Sequence, residues 1–456
     1  MNALLDRAHI LRLPDELLES ILWYACPPVD GARYKPIVQE QREKRYSTLA
    51  SWCLICWRLY PLAMSLLYGD LVVGCSPPRV QRESVSKLLH RSCRQNPTLL
   101  GLCQQLTLNY RDHGPHYEEE SGNPLYYIAN DFTTLFTGVR SLTLFELRGD
   151  ERAWKLLRQG LCKFRSLTEL SLEHATSFDM DLWRVLDMVN ELACPQLRTL
   201  ALYGVTTKDS SARAKTQRKP RTSRIQSLKL RCFIGTPDDL EELVQWPEIL
   251  EEFHLEFTFG DSYSDIGAYS YWSLATLQPI LAIHKSTLRS IKIRALDTGG
   301  LAGFDAREFE RLEELSLSSA TICRSYKAWK RDDHTLSTLL GPRLRAFALD
   351  MTLEDQQHTE SLNDFSEEEE NWLRALCHLA VRQQLPLREI RIQFAPYEYD
   401  LYDSNSWYPW DRMDDLNREF QLHGIRVRYS PPTVSRAEFE EWIGYYSSVK
   451  HPIDSA

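Results

Sequence analysis

Residues Leu167–Leu172 read LTELSL, and residues Leu197–Leu202 read LRTLAL. Both stretches follow the pattern apolar-x-x-apolar-x-apolar, which recurs eleven times at intervals of 24 to 43 residues. A single match carries no information, whereas eleven matches, most of them preceded by a helical pattern, predict a repeat protein. The copies begin at Cys103, Val139, Leu167, Leu197, Ile225, Leu250, Leu288, Leu312, Leu344, Leu387 and Leu422.

The six-residue pattern predicts a strand, because side chains on a strand alternate between two faces. The fourth and sixth positions share one face, which is apolar in every copy and therefore packs inward. The fifth and seventh positions point the other way, toward solvent or a ligand. Helical periodicity lies between copies, as in Asp181–Leu192 and Glu370–Leu385. Alternating strands and helices predict an α/β fold with a curved parallel sheet.

This pattern resembles leucine-rich-repeat domains, whose repeats have about 20–29 residues and carry Asn or Cys after the strand. The ninth position here holds other residues, such as Leu147, Ala175 and Val205, and several repeats are too long. We therefore expect an irregular leucine-rich-repeat-like solenoid over residues 80–430. A C-terminal tail or cap over residues 431–456 would follow it.

Residues Leu11–Ala25 read LRLPDELLESILWYA and predict an amphipathic helix. Pro14 suits the start of a helix, because its φ angle is fixed and its missing N–H costs nothing there. Asp15 and Glu16 follow, at the end of the helix dipole that favours negative charge. Apolar residues at helical spacing then form one face, at Leu17, Leu18, Ile21, Leu22 and Ala25.

The next segments predict the rest of a small helical module. Residues Val29–Ser47 are polar and charged, and we expect an inserted loop there. Residues Thr48–Leu67 carry a helical pattern that Pro61 divides into two helices. Residues Tyr68–Val73 (YGDLVV) predict a short strand that leads out of the module.

The stretches LPDELLESIL and SWCLICWRLYPLAMSLLYGDLVV resemble an F-box of the type common in fungal proteins. The resemblance covers about one-seventh of the chain and places the domain at residues 8–73, with an insertion at 29–47. It implies a three-helix unit that binds a Skp-type adaptor, which bridges to a cullin-RING ubiquitin ligase. The positions that it assigns to adaptor binding are Leu13, Pro14, Leu17, Leu18, Ile21, Leu22, Leu54, Arg58 and Leu59.

The resemblance implies the substrate-recognition subunit of an SCF-type ligase, with the solenoid binding a protein substrate. Two departures leave an alternative open. The insertion at residues 29–47 is longer than the usual interhelical segment, and Trp57 stands where the family often has a basic residue. The alternative is a non-catalytic interaction scaffold whose F-box does not serve a ligase.

The outward strand positions of the middle and late repeats are rich in basic residues. These are Lys229, Arg231, Lys292, Arg294 and Arg391. An acidic or phosphorylated protein segment could bind them through charge-assisted hydrogen bonds. Alternatively, they are solvated strand residues that pair in part with Glu256 and Asp350.

Two segments, Phe257–Trp272 and Phe394–Trp410, are rich in Tyr and Trp. Such residues are favoured at interface hot spots, and they can equally fold back to cover the edge of a sheet. In the second segment the candidate substrate-binding residues are Tyr399, Tyr402, Trp407 and Trp410.

Charge is uneven along the chain, whose formal net charge is −9. Residues Glu354–Ala456 carry twenty acids and ten bases, whereas Lys208–Arg224 is basic and polar. We expect the basic segment to be a solvated loop or, alternatively, a nuclear-import signal. It lacks interleaved aromatic residues, so we expect no nucleic-acid partner.

The sequence lacks the local motifs GxSxG, GxxxxGK[ST] and HExxH, so we predict a protein that is not an enzyme and needs no cofactor. Cys53 and Cys56 form one CxxC without a second ligand pair nearby, and we expect two thiols on a buried helix face rather than a metal site. No apolar run approaches the roughly 18 residues of a membrane span. The N-terminus does not resemble a secretory signal, which together predicts no membrane partner and a location in the cytoplasm, the nucleus or both.

Overall fold

The structure is a computed structural model, and it describes the chain in segments. These are residues 9–26, 36–74, 85–109, 124–145, 151–173, 180–192, 194–207, 220–256, 272–294, 296, 300–323, 329–351, 362–396 and 407–449. The chain forms two compact units. Unit 1 comprises residues 1–173 and 188–197, and unit 2 comprises residues 174–187 and 198–456.

Unit 1 begins, in its described part, with a 3-10 turn (His9–Arg12) and the helices α1 (Asp15–Ala25), α2 (Pro36–Cys53) and α3 (Leu59–Gly69). Helix α3 packs against both α1 and α2. The prediction of a loop over residues 29–47 is wrong from Pro36 onward, because α2 begins there. The preceding part of that range lies outside the described residues.

The break between α2 and α3 lies at residues 54–58 rather than at Pro61. The Leu54 N–H donates to the Ser51 carbonyl oxygen at 3.0 Å, which ends α2 in a tight turn. Pro61 instead lies in the first turn of α3, where a missing N–H breaks no intrahelical hydrogen bond.

A small core holds these helices together. Leu18 and Leu22 on α1 are buried against Leu59 at the start of α3. Half-buried side chains pack around them, from Leu11, Leu13, Trp52, Cys56, Leu62 and Leu66. Each fully buried leucine stabilises such a core by roughly 2 kcal/mol, so the cluster can fix the arrangement of α1 and α3.

The described part of unit 1 continues with the parallel strands β1 (Asp70–Gly74), β2 (Gln105–Asn109), β3 (Ser141–Phe145) and β4 (Glu169–Glu173), adjacent in that order. Helices α4 (Val85–Gln95), α5 (Pro124–Leu135) and α6 (Glu151–Lys163) lie between them in sequence. Leu71 on β1 pairs with Leu106 on β2, which pairs with Leu142 on β3. The strand predicted to lead out of the module is therefore the first strand of the sheet.

Unit 2 contains a second run of parallel strands. Helix α7 (Leu182–Glu191) crosses the boundary, and β5 (Met180–Asp181) pairs with β7 (Val205–Thr206). The remaining strands, adjacent in chain order, are β6 (Thr199–Tyr203), β8 (Ser227–Arg231), β9 (Glu252–Glu256), β10 (Ser290–Arg294), β11 (Glu314–Ser318), β12 (Ala346–Met351), β13 (Glu389–Phe394) and β14 (Arg426–Tyr429). The helices are α8 (Pro237–Gln245), α9 (Leu274–Ala282), α10 (Ser319–Ile322), α11 (Asp333–Ser337), α12 (Glu367–Arg382), α13 (Pro409–Gln421) and α14 (Arg436–Val449).

The predicted inward face of the repeat is confirmed. Every side chain at the fourth and sixth positions, counted from the starting residues given by the sequence, is 4% exposed or less. The parallel register also places equivalent positions opposite each other, as in the row Leu228, Phe253 and Ile291. Each copy therefore contributes two apolar side chains at the same level of the core.

The last copy starts two residues later than predicted. Ile390 on β13 pairs with Val427 on β14, so the fourth position of this copy is Val427 and its first is Gly424. Leu422, the predicted first position, is 87% exposed. The last copy therefore lies two residues later than the sequence pattern predicted, which leaves the same side chains on the inward face.

The outward face of the strands is more buried than predicted. Among the fifth positions, which we expected to meet solvent or a ligand, five are buried, namely Thr143, Ser171, Ala201, Ser316 and Ala348. These side chains are small, and in unit 2 long arginine side chains from neighbouring strands reach across them. These five positions therefore cannot belong to an open binding surface on the outward face of the strands.

Side chains close the free edges of β1 and β14. In unit 1 the Tyr46 phenol on α2 donates to the Asp70 carbonyl oxygen at 3.1 Å and accepts from the Val72 N–H at 3.3 Å. In unit 2 Asn417 Oδ1 on α13 accepts from the Val427 N–H at 3.0 Å. Each bond satisfies a backbone group on the side of the strand that faces away from its neighbour.

Helix α12 begins at the predicted cap. The Ser366 hydroxyl accepts from the Glu368 N–H at 3.1 Å, and the Glu369 carboxylate accepts from the Ser366 N–H at 2.7 Å. These two bonds form a capping box. The acidic run at residues 367–370 therefore belongs to the first turn of a helix, where the helix dipole favours it.

Candidate protein-binding surfaces

Two groups of large apolar side chains lie exposed on the N-terminal helices. The stripe on α1, at spacings of four and three residues, is formed by Leu17, Ile21 and Tyr24. The turn between α2 and α3 adds Leu54, Ile55 and Trp57. These six side chains, which we call the apolar ridge, are between 39% and 87% exposed. Single exposed apolar residues are ordinary, whereas a cluster of them is typical of a protein contact.

Arg58 ties the turn to the start of α1. Its guanidinium donates to the carbonyl oxygens of Leu11 and Leu13, the latter at 2.6 Å, and lies 2.9 Å from Asp15 Oδ1. Leu11 and Trp57 also line one shallow depression of about 370 Å³. Both parts of the ridge are thus held in one module. Arg58, which we predicted to contact an adaptor, is 30% exposed and makes its hydrogen bonds inside the module.

The predicted adaptor-binding residues separate into two sets. The exposed set consists of Pro14, Leu17, Ile21 and Leu54. The buried set consists of Leu18, Leu22 and Leu59, which form the core of the module. Their assignment to adaptor contact is wrong because their side chains are already enclosed. Leu13 lies between the two sets, half-buried against that core.

Sequence reasoning missed three members of the ridge. Tyr24, Ile55 and Trp57 were not among the predicted contacts, although Tyr24 lies one turn beyond Ile21 on the same stripe. Tyr24 could have been predicted, because it continues the stripe of Leu17 and Ile21, which differs from the stripe of Leu18 and Leu22. The exposure of Ile55 and Trp57 could not, because it depends on where α2 ends.

Helix α2 contributes a stacked cation beside α1. Arg45 is buried, and its guanidinium carbon lies 4.3 Å from the centroid of the Trp23 ring. Cation–π contacts of this kind are worth about 1 kcal/mol. Burial raises the pKa of the nearby Cys26 thiol, and the charge of Arg45 opposes that rise. The part of the chain expected to be a loop therefore packs against the C-terminal half of α1.

The CxxC pair is not on one helix face. Cys53 ends α2, whereas Cys56 lies in the following turn and packs against the module core. Burial raises the pKa of the Cys53 thiol. Within the described segments, no group of three His, Cys, Asp or Glu side chains could hold a metal ion. None of the helices described is both long enough and apolar enough to cross a membrane.

The outward face of β8–β13 carries a network of ion pairs, which we call the charged face. Arg294 Nη1 lies 3.2 Å from Glu256 Oε2, and its Nε lies 2.9 Å from Asp350 Oδ2. The two carboxylates are 10% and 4% exposed. Arg231 Nε lies 3.5 Å from Glu256 Oε1. The alternative prediction, pairing with Glu256 and Asp350, is confirmed for Arg231 and Arg294.

A second chain of ion pairs continues toward β14. Glu314 Oε1 lies 3.8 Å from Lys292 Nζ and 2.9 Å from Arg391 Nη1. Glu389 bridges Arg391 at 2.9 Å and Arg428 at 3.1 Å. The hydrogen bond from Arg391 holds the pKa of the Glu389 carboxyl below its usual range. Arg391 is thus engaged by two carboxylates and is a weak candidate for binding a substrate.

One row of the charged face remains positive. Lys229 on β8, His254 on β9 and Lys292 on β10 lie directly opposite one another. Burial is the main cause that lowers the pKa of His254 to about 3. The positive charges of Arg294, Lys292 and Lys229 contribute to this shift, and Asp350 opposes it. The imidazole is therefore neutral near pH 7 and lies in a positive potential.

The second aromatic segment has two roles in its described part. Trp410 is buried, and its Nε1–H donates to the Ser430 carbonyl oxygen at 3.0 Å, so its assignment to substrate binding is wrong. Trp407 is exposed, and the Arg412 guanidinium lies 5.4 Å from its ring centroid. The other two candidates, Tyr399 and Tyr402, lie outside the described residues.

Two further predicted segments lie largely outside the described residues. The basic segment is described only from residue 220 onward, and the first aromatic segment only at Trp272. Trp272 is buried, with its ring centroid 6.0 Å from that of Phe233. The described end of the first aromatic segment therefore belongs to the core.

Comparison with solved structures finds a likeness to the leucine-rich repeat-containing protein LegL7 from Legionella pneumophila. The likeness has 16% identity and a TM-score of 0.40, and it covers 76% of this chain and 97% of that chain. No protein-family model matches the chain, and no curated protein sequence matches it. The repeat architecture therefore rests on the strand register and burial described above.

Proposed function

We propose that the chain is the substrate-recognition subunit of an SCF-type ubiquitin ligase. The N-terminal module binds a Skp-type adaptor through the apolar ridge, and the strand-bearing part of the chain binds a protein substrate. The observation that carries the proposal is the exposure of Leu17 and Ile21 beside a filled core of Leu18 and Leu22. Leu18 and Leu22 therefore serve folding, whereas Leu17 and Ile21 are available to a second protein.

The composition of the ridge supports a protein partner. Its aromatic members, Tyr24 and Trp57, are the residue types enriched at interface hot spots. Covering a large exposed apolar side chain contributes roughly 1–3 kcal/mol. The six side chains of the ridge can therefore supply the apolar centre of an interface, provided that the partner is apolar and complementary.

The chain performs no chemistry in this proposal. It holds the substrate and the ligase on one molecule, so that ubiquitin transfer becomes an intramolecular event at a high effective concentration. The requirement on the chain is two separate binding surfaces on a stable frame. The buried strand rows of both units provide such a frame.

Capture of a purified Skp-type adaptor by the full chain tests the adaptor contact. Leu17→Asp and Ile21→Asp place a charge in the ridge without opening the core, so each should abolish capture while the circular dichroism spectrum and melting temperature stay unchanged. Leu422→Asp is the matched control, because it makes the same change at an exposed leucine of unit 2 and should leave capture intact. Equal capture by the ridge variants and the wild-type chain would exclude an adaptor contact at the ridge.

The interaction scaffold is the second candidate, and the length of α2 favours it. This helix spans Pro36–Cys53 and packs Arg45 onto Trp23, so the module carries an extra element that the family pattern does not require. The two functions differ in the fate of bound proteins. A ligase receptor lowers the abundance of its partners when it is expressed, whereas a scaffold leaves their abundance unchanged.

A further inference from the structure

The row formed by Lys229, His254 and Lys292 is unlike the rest of the charged face. The three side chains occupy the fifth position of consecutive copies and lie opposite one another on adjacent parallel strands. Adjacent strands are about 4.8 Å apart, so the two lysines start about 10 Å apart with the imidazole between them. Two flexible ammonium groups at this separation can converge on one small ligand.

The surrounding ion pairs leave this row with excess positive charge. In the adjacent row, Glu256 and Asp350 are engaged by Arg231 and Arg294. Within the described residues Lys229 forms no ion pair, and Lys292 lies 3.8 Å from a carboxylate that pairs more closely with Arg391. Three of the four carboxylates that flank the row are therefore engaged mainly by arginines. The fourth, Glu252, accepts a hydrogen bond from the Ser227 hydroxyl at 2.9 Å.

The imidazole of His254 has a buried nitrogen atom without a hydrogen bond, which is independent of the charge of the row. His254 Nε2 is enclosed and makes no hydrogen bond, and it lies 3.7 Å from Glu256 Oε2, beyond hydrogen-bonding distance. A buried polar atom without a hydrogen-bond partner destabilises the fold. An anion placed between the lysines would meet the positive potential and bring an acceptor close to the ring.

We propose that the row Lys229, His254 and Lys292 binds one oxyanion, a phosphate or a carboxylate, carried on a protein partner. The two ammonium groups hold the charge, and the imidazole supplies a further hydrogen bond once the lysine side chains move. A protein rather than a nucleic acid carries the oxyanion, because Glu256, Asp350 and Glu314 lie on the same face and repel a phosphate backbone. The inference rests on the proposed function only in taking the partner to be the substrate.

Nuclear magnetic resonance of 13C-labelled histidine in the full chain tests the row. The probes are inorganic phosphate, N-acetyl-phosphoserine methylamide and N-acetyl-glutamate methylamide, titrated at constant ionic strength. We expect a saturable shift of the His254 resonance with phosphate and with at least one of the two amino-acid probes. A response to phosphoserine alone identifies a phosphorylated partner, and a response to glutamate identifies an acidic one.

Substitution of both lysines provides the decisive comparison. Lys229→Met combined with Lys292→Met should weaken phosphate binding at least tenfold, whereas Lys285→Met, at an exposed lysine elsewhere in unit 2, should leave it unchanged. His254→Gln should weaken binding less than the double substitution. The absence of a saturable shift, or equal affinity in the double variant, overturns the proposal.

The same variants separate this inference from the proposed function. The double lysine variant should capture the Skp-type adaptor as well as the wild-type chain does, because the row lies outside the N-terminal module. If oxyanion binding is observed while the wild-type chain fails to capture the adaptor, the ligase role fails and the row stands. If the adaptor is captured while the row binds none of the probes, the inference on the row fails alone.

Discussion

Arg58 and Asp15 are 43 residues apart in sequence, yet the Arg58 Nη2 atom lies 2.9 Å from Asp15 Oδ1. The same guanidinium donates to the carbonyl oxygens of Leu11 and Leu13. The start of α1 and the turn before α3 are therefore joined by one side chain. The position of Leu17 relative to the turn depends on this link.

Replacing Arg58 with alanine should loosen α1 without changing the ridge residues themselves. Hydrogen bonds from a charged donor are worth about 1.5–3 kcal/mol, and the two carbonyl acceptors would lose theirs. We expect the α1 amides to exchange about thirtyfold faster, as measured by hydrogen–deuterium exchange, since about 1.4 kcal/mol corresponds to a factor of ten. Arg140→Ala, at an exposed arginine of unit 1, is the control and should leave α1 exchange unchanged.

Leu17 and Leu18 are neighbours in sequence with opposite roles. Leu18→Ala should reduce the free energy of unfolding of the module by about 2–4 kcal/mol, because its side chain fills the core. Leu17→Ala should change that free energy by less than about 0.5 kcal/mol, because its side chain is exposed. Chemical denaturation followed by tryptophan fluorescence measures both, and similar losses in the two variants would contradict the division into core and ridge.

Arg294 holds two enclosed carboxylates, so its removal should be costly. Arg294→Met leaves Glu256 and Asp350 without their shared cation, and such a loss typically costs about 3–5 kcal/mol. Arg428→Met removes a more exposed partner of Glu389 and should cost less than about 1 kcal/mol. Thermal denaturation of both variants compares the two pairs. An equal effect would mean that the charged face is as well solvated around Arg294 as it is around Arg428.

His254 should make the stability of unit 2 depend on pH. Its pKa is lowered to about 3 in the folded chain from an ordinary value of 6.5, so between these values the unfolded chain binds a proton that the folded chain does not. The free energy of unfolding is therefore highest, as far as this group is concerned, above pH 6.5, and it decreases as the pH falls. The linkage predicts a loss of about 2 kcal/mol between pH 7 and pH 5.

His254→Gln removes this titration and keeps a polar side chain of similar reach. The difference in unfolding free energy between pH 7 and pH 5 should therefore be smaller in the variant by about 2 kcal/mol. Urea denaturation at both pH values gives the comparison, with His423→Gln, at an exposed histidine, as the control. An identical pH dependence in all three proteins would show that His254 titrates near its ordinary value.

The strands could be predicted from the sequence because their pattern has a short and strict period. Leu170 and Leu172, for example, share one face on a strand but not on a helix, and the same alternation recurs in each copy. The strand β1 carries the same signal, since Leu71 and Val73 fill the fourth and sixth positions of YGDLVV. It was predicted as a strand but was not counted as a copy.

Register and helix boundaries were harder to predict for identifiable reasons. Ile425, Val427 and Tyr429 alternate along one strand, so a shift of two residues leaves the apolar pattern unchanged, and only the pairing with Ile390 decides it. Residues 36–47 are polar, which suggested a loop. They are also rich in Glu, Gln, Lys and Arg, all strong helix formers, and Pro36 suits the first position of a helix.

The candidate sites depend on contacts that no local pattern contains. Arg58 matches the family motif, but its acceptors lie more than forty residues away. Arg294, Glu256 and Asp350 lie on three different strands. Their ion pairs therefore could not be predicted from one local pattern and remained one of two alternatives. Exposure of the ridge also follows from packing, because Leu17 and Leu18 are equally apolar in sequence.

The Tyr46 hydroxyl occupies the place where the backbone of another strand would lie. A parallel sheet that ends in bare amide and carbonyl groups is a template for the addition of a second molecule, and repeated addition leads to fibres. One oxygen atom supplied by a helix blocks the first such step at β1. We therefore expect the resistance of this strand edge to further strand addition to depend on a group that adds little to the core. Loss of that oxygen in Tyr46→Phe should shorten the lag time of aggregation measured by light scattering.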